Sequence, residues 1–214
     1  MSTPLIVIGA GGFGREVLDV VDAVNRSAPT PVFTLLGVVD SNPSPENIKR
    51  LEARGISILG SEAEWLRSGR QAEFLIGIGN PSVRQRIDDM FLERGHVAAT
   101  VVHPLASVGS EVTIGEGSIV CSGVQISTNV GLGRHVHLNP NSTIGHDSVI
   151  QSYVSINPSA TISGEVTVGM RSLVGAGAVV LQGLAIGLDA VVGASACVVR
   201  NVDDRKIVKG VPAR

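Results

Sequence analysis

An aliphatic residue occupies every sixth position in the second half of the chain, from Val102 to Val198, without a break. A second phase agrees, because the fourth residue after each of these positions is Ala, Val or Ser, with Leu184 as the exception. A six-residue period fits neither an amphipathic helix nor a simply alternating strand. It is typical of a hexapeptide repeat, and an internal repeat takes precedence over local assignment of secondary structure.

Each hexad predicts a short strand followed by a corner, and three hexads close a triangular coil of 18 residues. The aliphatic residue should point into the prism, and the small residue should lie near the corner, where space is short. Successive coils should pair as parallel strands about 4.8 Å apart, each burying its core only against its neighbours. The repeat therefore predicts a parallel β-helix over residues 101–214 and a different domain over residues 1–100.

Strands and helices alternate in the pattern of residues 1–100. Buried strands are predicted at Leu5–Ile8, Phe33–Val39 and Phe74–Ile78, and a helix that begins at Pro81 follows the third. Another helix should follow the glycine-rich segment Gly9–Gly14. The order β-α-β-α-β-α predicts a small parallel sheet with helices outside, the α/β architecture of a Rossmann-like half domain.

The glycine-rich segment has the spacing G-x-G-x-x-G between a strand and a helix, which is typical of a nucleotide-binding turn. The N–H groups of Gly11 and Gly12 would hold a phosphate. Asp40 and Gly79-Asn80 follow strands whose ends should meet at the same edge. The alternative is a tight turn that needs glycine for backbone reasons. An NAD-binding oxidoreductase stays open, although residues 1–100 supply only half of a dinucleotide fold.

Composition narrows the class of protein. A net charge of −2 gives no electrostatic basis for binding nucleic acid. No apolar run reaches the roughly 18 residues of a membrane span, and Met1–Pro4 lacks the basic segment of a secretory signal. Cys121 and Cys197 match no metal-ligand spacing. We expect both to be small apolar fillers, with no metal site and a cytoplasmic location.

His146 is the strongest candidate for catalysis among the five histidines. Asp147 follows it directly, Asn139 precedes it by seven residues, and Gly164 lies one 18-residue coil further on. A histidine can act as base towards an amine or hydroxyl. A glycine across the coil leaves room for a substrate and offers a bare N–H to an oxyanion. The alternative is that His146 is a solvated corner residue.

The remaining histidines carry weaker signals. His135 and His137 lie about half a coil earlier and have no adjacent acid, and His103 precedes Pro104 at the domain junction.

Four segments together resemble one known family over essentially the whole chain: the bacterial sugar acetyltransferases of the sialic-acid O-acetyltransferase-like, hexapeptide-repeat family. This family includes N-acetyltransferases that act on nucleotide-linked amino sugars. The segments are Gly9–Glu16, Ile78–Asn80 with Arg84, Ile144–Asp147 and Gly210–Arg214.

The resemblance implies a left-handed β-helix, a homotrimer and acetyl-CoA bound between neighbouring prisms. It implies that His146 is the general base, supported by Asp147, with Asn139 nearby and the Gly164 amide facing the acetyl carbonyl. The residues implied along the pantetheine arm of the coenzyme are Gly175, Ala176, Gly193 and Ala194. Those implied at the nucleotide-sugar site are Gly11, Gly12, Phe13 and Asp40, to which we add Gly79 and Asn80 at the same sheet edge.

Two residues depart from the family pattern. Phe13 stands where many relatives carry a histidine in the glycine loop, and Ser155 stands where many carry a second active-site histidine. Ser155 can donate to an acetyl or amide group of the bound coenzyme but cannot act as a base at neutral pH. The sequence therefore predicts acetyl-CoA-dependent N-acetylation of a nucleotide-linked amino sugar. O-acetylation of a sialic-acid-like sugar and a trimeric scaffold without turnover are the alternatives.

Overall fold

The structure is a computed structural model that describes residues 2–214. It divides into two compact units, the first ending at Val101 and the second spanning Val102–Arg214. This division lies one residue beyond the boundary drawn from the hexapeptide repeat.

The first unit is a small α/β structure. Its parallel three-stranded sheet has β1 (Thr3–Ile8) at the centre, between β2 (Phe33–Val39) and β3 (Glu73–Ile76). Buried side chains that include Trp65, Phe74 and Phe91 form its core. None of the helices in residues 2–214 is long and apolar enough to cross a membrane. The elements are β1 (Thr3–Ile8), α1 (Gly12–Ser27), β2 (Phe33–Val39), α2 (Pro45–Glu52), α3 (Glu62–Arg67), β3 (Glu73–Ile76) and α4 (Pro81–Leu92).

Helix α2 was not predicted from the pattern of apolar residues, because it is short and only Leu51 on it is buried. Its signal is local: the Ser44 hydroxyl accepts from the N–H of Asn47, and Pro45 occupies the first turn. A serine cap followed by proline is a common helix start.

The second unit is the predicted parallel β-helix, made of two-residue strands that pair in register one coil apart. The seven-stranded sheet contains β4 (Val101–Val102), β7 (Ile119–Val120), β10 (His137–Leu138), β13 (Ser155–Ile156), β16 (Leu173–Val174), β19 (Val191–Val192) and β21 (Ile207–Val208). The six-stranded sheet contains β5 (Ser107–Val108), β8 (Gln125–Ile126), β11 (Thr143–Ile144), β14 (Thr161–Ile162), β17 (Val179–Val180) and β20 (Cys197–Val198). The five-stranded sheet contains β6 (Thr113–Ile114), β9 (Gly131–Leu132), β12 (Val149–Ile150), β15 (Thr167–Val168) and β18 (Ala185–Ile186).

The aliphatic hexad residues form the interior, as predicted, from Val120 to Val198. The first three differ, because Val108 is 43% exposed and Val102 and Ile114 are only half-buried. A coil at the end of a stack has a neighbouring coil on one side only, so its inward residues are less completely covered.

Three corners join the sheets, and each is named here after one residue. The His146 corner joins the six- to the five-stranded sheet and includes residues 127–130, 145–148 and 163–166. The Tyr153 corner joins the five- to the seven-stranded sheet and includes residues 133–136, 151–154, 169–172 and 187–190. The Asn139 corner joins the seven- to the six-stranded sheet and includes residues 139–142, 157–160, 175–178 and 193–196.

The corners turn at residues in the left-handed region of φ, and their side chains stack from coil to coil. At the Tyr153 corner the rings of His135 and Tyr153 are stacked, with centroids 5.8 Å apart. Further along, Arg171 makes two 2.7 Å hydrogen bonds to Asp189. These hydrogen bonds hold the pKa of the Asp189 carboxyl below its ordinary value.

Serines inside the prism bridge adjacent coils. The Ser172 hydroxyl donates to the carbonyl of Gly187 at 2.6 Å and accepts from the N–H of Ala190 at 3.0 Å. Ser118 and Ser148 make the same pair of bonds to their own next coils. Ser142 occupies the same hexad position, but its buried hydroxyl has no partner among the described residues. The corresponding N–H, that of Ala160, donates instead to the carbonyl of Asn157.

This difference predicts that serine-to-alanine substitutions at Ser172 and Ser142 have different effects on stability. Ser172→Ala should lower the free energy of unfolding by about 1–3 kcal/mol, because it leaves a buried N–H and carbonyl unpaired. Ser142→Ala should leave stability unchanged or raise it, because it removes a buried hydroxyl that makes no hydrogen bond. Thermal melts of the two variants check this, and equal losses would contradict the assignment.

Candidate functional site

The side chains of His146 and Asp147 form a pair on the surface of the His146 corner. Nδ1 of His146 lies 2.6 Å from Oδ2 of Asp147, and the two side chains are 56% and 46% exposed. Asp147 adopts φ +59°, so the corner itself places its carboxylate beside the preceding residue. The pair is thus built by the local turn and is open to a ligand.

The imidazole of His146 lies against Gly164, the residue one coil away. A Cβ atom on Gly164 would come within 2.6 Å of Nε2, closer than real Cβ contacts allow. A Cβ at this position would therefore push the ring out of the place that it occupies. The N–H of Gly164 donates to no acceptor in the described part of the chain.

The hydrogen bonds of the pair determine which nitrogen of the imidazole carries the proton. The hydrogen bond to His146, and then one from Asn129, lower the pKa of the Asp147 carboxyl below its ordinary value. An ionised carboxylate only accepts hydrogen bonds, so the neutral ring keeps its proton on Nδ1. Nε2 is then left with a free lone pair on the side of Gly164, which is the state that a general base requires.

The other repeat histidines are in different environments. His135 and His137 are buried, at 0% and 1% exposure. Nδ1 of His103 accepts from the N–H of Leu105. His146 differs from them because its ring is exposed and lies within hydrogen-bond distance of a carboxylate.

Asn139 does not contact His146 within the chain. It lies at the Asn139 corner, where its amide donates to the carbonyl of Ile156 and to Oδ1 of Asn157. The residues expected along the coenzyme, Gly175, Ala176, Gly193 and Ala194, lie at this same corner. Ser155 is buried on the seven-stranded sheet. One side of the triangle, the six-stranded sheet, therefore separates these residues from His146 in a single chain.

The glycines at the carboxyl edge of the first unit fall into two groups. Gly14 and Gly77 are required by packing, since a Cβ on either would meet backbone atoms at 1.8 or 2.4 Å. Around Gly11, Gly12 and Gly79, in contrast, no heavy atom would lie within 4 Å of a Cβ. Contacts within the chain do not explain why these three are glycines, whereas close approach of a ligand would.

Asp40 and Asn80 support the loops at this edge. The Asp40 carboxylate accepts from the N–H groups of Ala10 and Asn42, at 2.7 and 2.8 Å. The Asn80 side-chain oxygen caps α4 by accepting from Ser82 and Val83. Half-buried Phe13 lies in the first turn of α1.

Asn129 was missed in the sequence, and Arg84 was named in the family resemblance without a role at the site. Buried Arg84 donates to the carbonyls of Ile78 and Gly79. Asn129 donates to Asp147 at 3.0 Å. The 18-residue spacing of the sequence could have identified Asn129, because it precedes Asp147 by one coil just as Gly164 follows His146 by one coil.

Gly164→Ala should displace the His146 ring and lower kcat by on the order of 10²-fold, the usual cost of about 1 Å of misplacement. Stability should change little, because the clash is with an exposed side chain. Gly183→Ala, on the next coil of the same corner, should instead lower stability and keep full activity. Gly183 has φ +69° and open surroundings, so alanine there should lower the free energy of unfolding by about 1–2 kcal/mol without displacing the His146 ring. Steady-state rates and melts of both variants test this, and an active Gly164→Ala enzyme would contradict it.

Comparison with known proteins supports the family suggested by the motifs. Residues 4–91 match the PglD N-terminal domain. GDP-perosamine N-acetyltransferase from Escherichia coli O157:H7 is 30% identical over 147 residues, which cover 69% of this chain and 64% of that relative's length. The match thus spans slightly less than two thirds of the relative.

Solved structures extend the likeness to both units. PerB from Caulobacter crescentus, in complex with CoA and GDP-perosamine, matches with TM-score 0.87 and 28% identity over 99% of this chain and 96% of that one. The acetyltransferase domain of PglB from Neisseria gonorrhoeae FA1090, in complex with acetyl coenzyme A, matches with TM-score 0.86 and 27% identity over 100% and 99%. These matches confirm the predicted fold, a small α/β part followed by a parallel β-solenoid that matches the left-handed β-helix acetyltransferases, and the chain is similar to sugar acetyltransferases over both units.

Proposed function

We propose that this protein transfers the acetyl group of acetyl-CoA to the amine of a nucleotide-linked amino sugar. The observation that carries the proposal is the exposed His146–Asp147 pair, with Nε2 directed over Gly164. The relatives that bind GDP-perosamine with CoA make a GDP-linked amino sugar the first acceptor to test.

The geometry supports a direct transfer. The sugar amine attacks the thioester carbonyl carbon while Nε2 of His146 takes the proton that the amine loses. The Gly164 N–H, which donates to none of residues 2–214, stabilises the negative charge on the tetrahedral oxygen. The C–S bond then breaks, CoA leaves as the thiolate, and the proton held by His146 is available to neutralise it.

The nucleotide part of the acceptor is assigned to the first unit. The open surroundings of Gly11, Gly12 and Gly79 let a phosphate or sugar approach the backbone, and the N–H groups at the start of α1 favour an anion. Phe13 offers an apolar surface beside them. Asp40 holds the glycine loop in place through Ala10, so its proposed contact with a ribose or base donor is secondary to this structural role.

The acetyl-transfer site is proposed to form between copies of the chain. His146 and Gly164 lie at one corner of the prism, whereas Asn139, Gly175, Ala176, Gly193 and Ala194 lie at another. Closed C3 symmetry brings one corner of each prism to a different corner of its neighbour. A homotrimer would thereby complete three equivalent sites, with acetyl-CoA, and Ser155 nearby, in the groove between adjacent chains.

A thiol-release assay over UDP-, GDP- and dTDP-linked amino sugars, each paired with its hydroxy analogue, tests the reaction. We expect release only with an amino sugar, and His146→Ala should lower kcat by about 10²–10⁴-fold. Turnover of the hydroxy analogue instead would identify an O-acetyltransferase. Saturable NAD binding without CoA release would favour the oxidoreductase alternative, and no release with any acceptor would favour a scaffold.

Mixed oligomers test the shared site. His146→Ala removes the base at one corner, and Ala176→Trp blocks the exposed backbone at the other, so each variant alone should be inactive. In an equal mixture of exchanging trimers, hybrids contain one intact site each, which restores about a quarter of wild-type activity. No recovery in verified hybrids would place the whole site within one chain.

A further inference from the structure

The residues that turn the His146 corner form a ladder of side chains along the prism. Glu111, Asn129, Asp147 and Glu165 are spaced by one coil and all have left-handed φ values, from +55° to +59°. Three of the four carry a carboxylate. Asn129 is the only amide, and it stands immediately before the aspartate of the pair.

Asn129 and His146 hold the two oxygens of the same carboxylate. Nδ2 of Asn129 lies 3.0 Å from Oδ1 of Asp147, and Nδ1 of His146 lies 2.6 Å from Oδ2. After His146, Asn129 is the next largest cause of the lowered pKa of Asp147. With both oxygens occupied, rotation of the carboxylate would break one hydrogen bond or the other.

The donor is itself fixed by the preceding coil. The Asn129 N–H donates to the carbonyl of Ser110 at 3.0 Å, and the Thr128 hydroxyl donates to the same carbonyl. The Asp147 N–H in turn donates to the carbonyl of Thr128 at 3.1 Å. Asparagine is among the few residues that tolerate left-handed φ well, so the backbone presents this amide to Asp147 without rearrangement.

The chemistry of the position favours an amide over an acid. A carboxylate at residue 129 would stand about 4.8 Å from Asp147 in the coil spacing and would repel it. It would also extend the acidic ladder from Glu111 without interruption. The amide group instead donates a hydrogen bond and separates the two charges.

We propose that Asn129 is a positioning residue for catalysis: it holds the Asp147 carboxylate in the rotamer that orients His146, with Nε2 over Gly164. The proposal rests on the proposed role of His146 as general base. Asn129 does not touch the reacting atoms, so its effect on the rate passes entirely through Asp147.

Asn129→Gly removes the amide and keeps the left-handed corner. It should lower kcat about 3- to 10-fold, because the base is less well oriented, and should leave the KM of both substrates unchanged. Glu111→Gly makes the same backbone change one coil earlier and should keep full activity. Should Asn129→Gly not fold, Asn129→Asp keeps the shape and the turn while replacing the donor, and must lose at least as much kcat.

A double-mutant cycle separates positioning from a structural effect. If Asn129 acts through Asp147, adding Asn129→Gly to Asp147→Gly, which removes the acceptor and keeps the left-handed corner, should cause no further loss of kcat. Multiplying losses would overturn the proposal, as would full activity of Asn129→Gly in an enzyme that His146→Ala inactivates. Full activity of His146→Ala would instead overturn the proposed base and the positioning role together.

Discussion

The hydrogen bonds between successive coils fix the geometry of the β-helix. From β4 to β17, each two-residue strand pairs with the strand 18 residues later, so each side chain there has a determined neighbour one coil away. Because the strands are so short, no single coil has a core of its own, and stability is shared between nearest neighbours. The same register that stacks Ile144 on Ile162 also places His146 beside Gly164.

Glycine has two distinct physical roles in this chain. At Gly14 and Gly77, and at repeat positions such as Gly115 and Gly145, another part of the backbone already occupies the space that a Cβ would need. At Gly11, Gly12 and Gly79 the space is empty. The sequence motif alone could not separate these roles, because G-x-G-x-x-G contains both kinds.

The sequence predicted what depends on periodicity and local turns. The strands of the repeat follow from a constant hexad, and the neighbourhood of His146 and Gly164 follows from adding one coil. It did not predict helix α2, whose start is encoded by Ser44-Pro45 rather than by an apolar stripe. The first hexads also differ from the predicted inward position, since Val108 is 43% exposed in the end coil, which has a neighbouring coil on one side only. Asn139 precedes His146 by only seven residues, yet a corner and one face of the prism separate them. Distance along the chain is informative here only in multiples of a coil. The roles assigned to individual site residues remain predictions.

The one-coil separation of His146 and Gly164 also restricts how the length of this chain can change. Deleting or inserting one residue between them would move every later hexad out of phase, reversing which side chains face inward. It would also place a neighbour of Gly164, either Ser163 or Glu165, against the imidazole. Loops of the first unit can vary in length at a small entropic cost, but the β-helix around the site can change length only by a whole coil. Divergence at this site should therefore proceed by substitution, with the count of residues between base and glycine held constant.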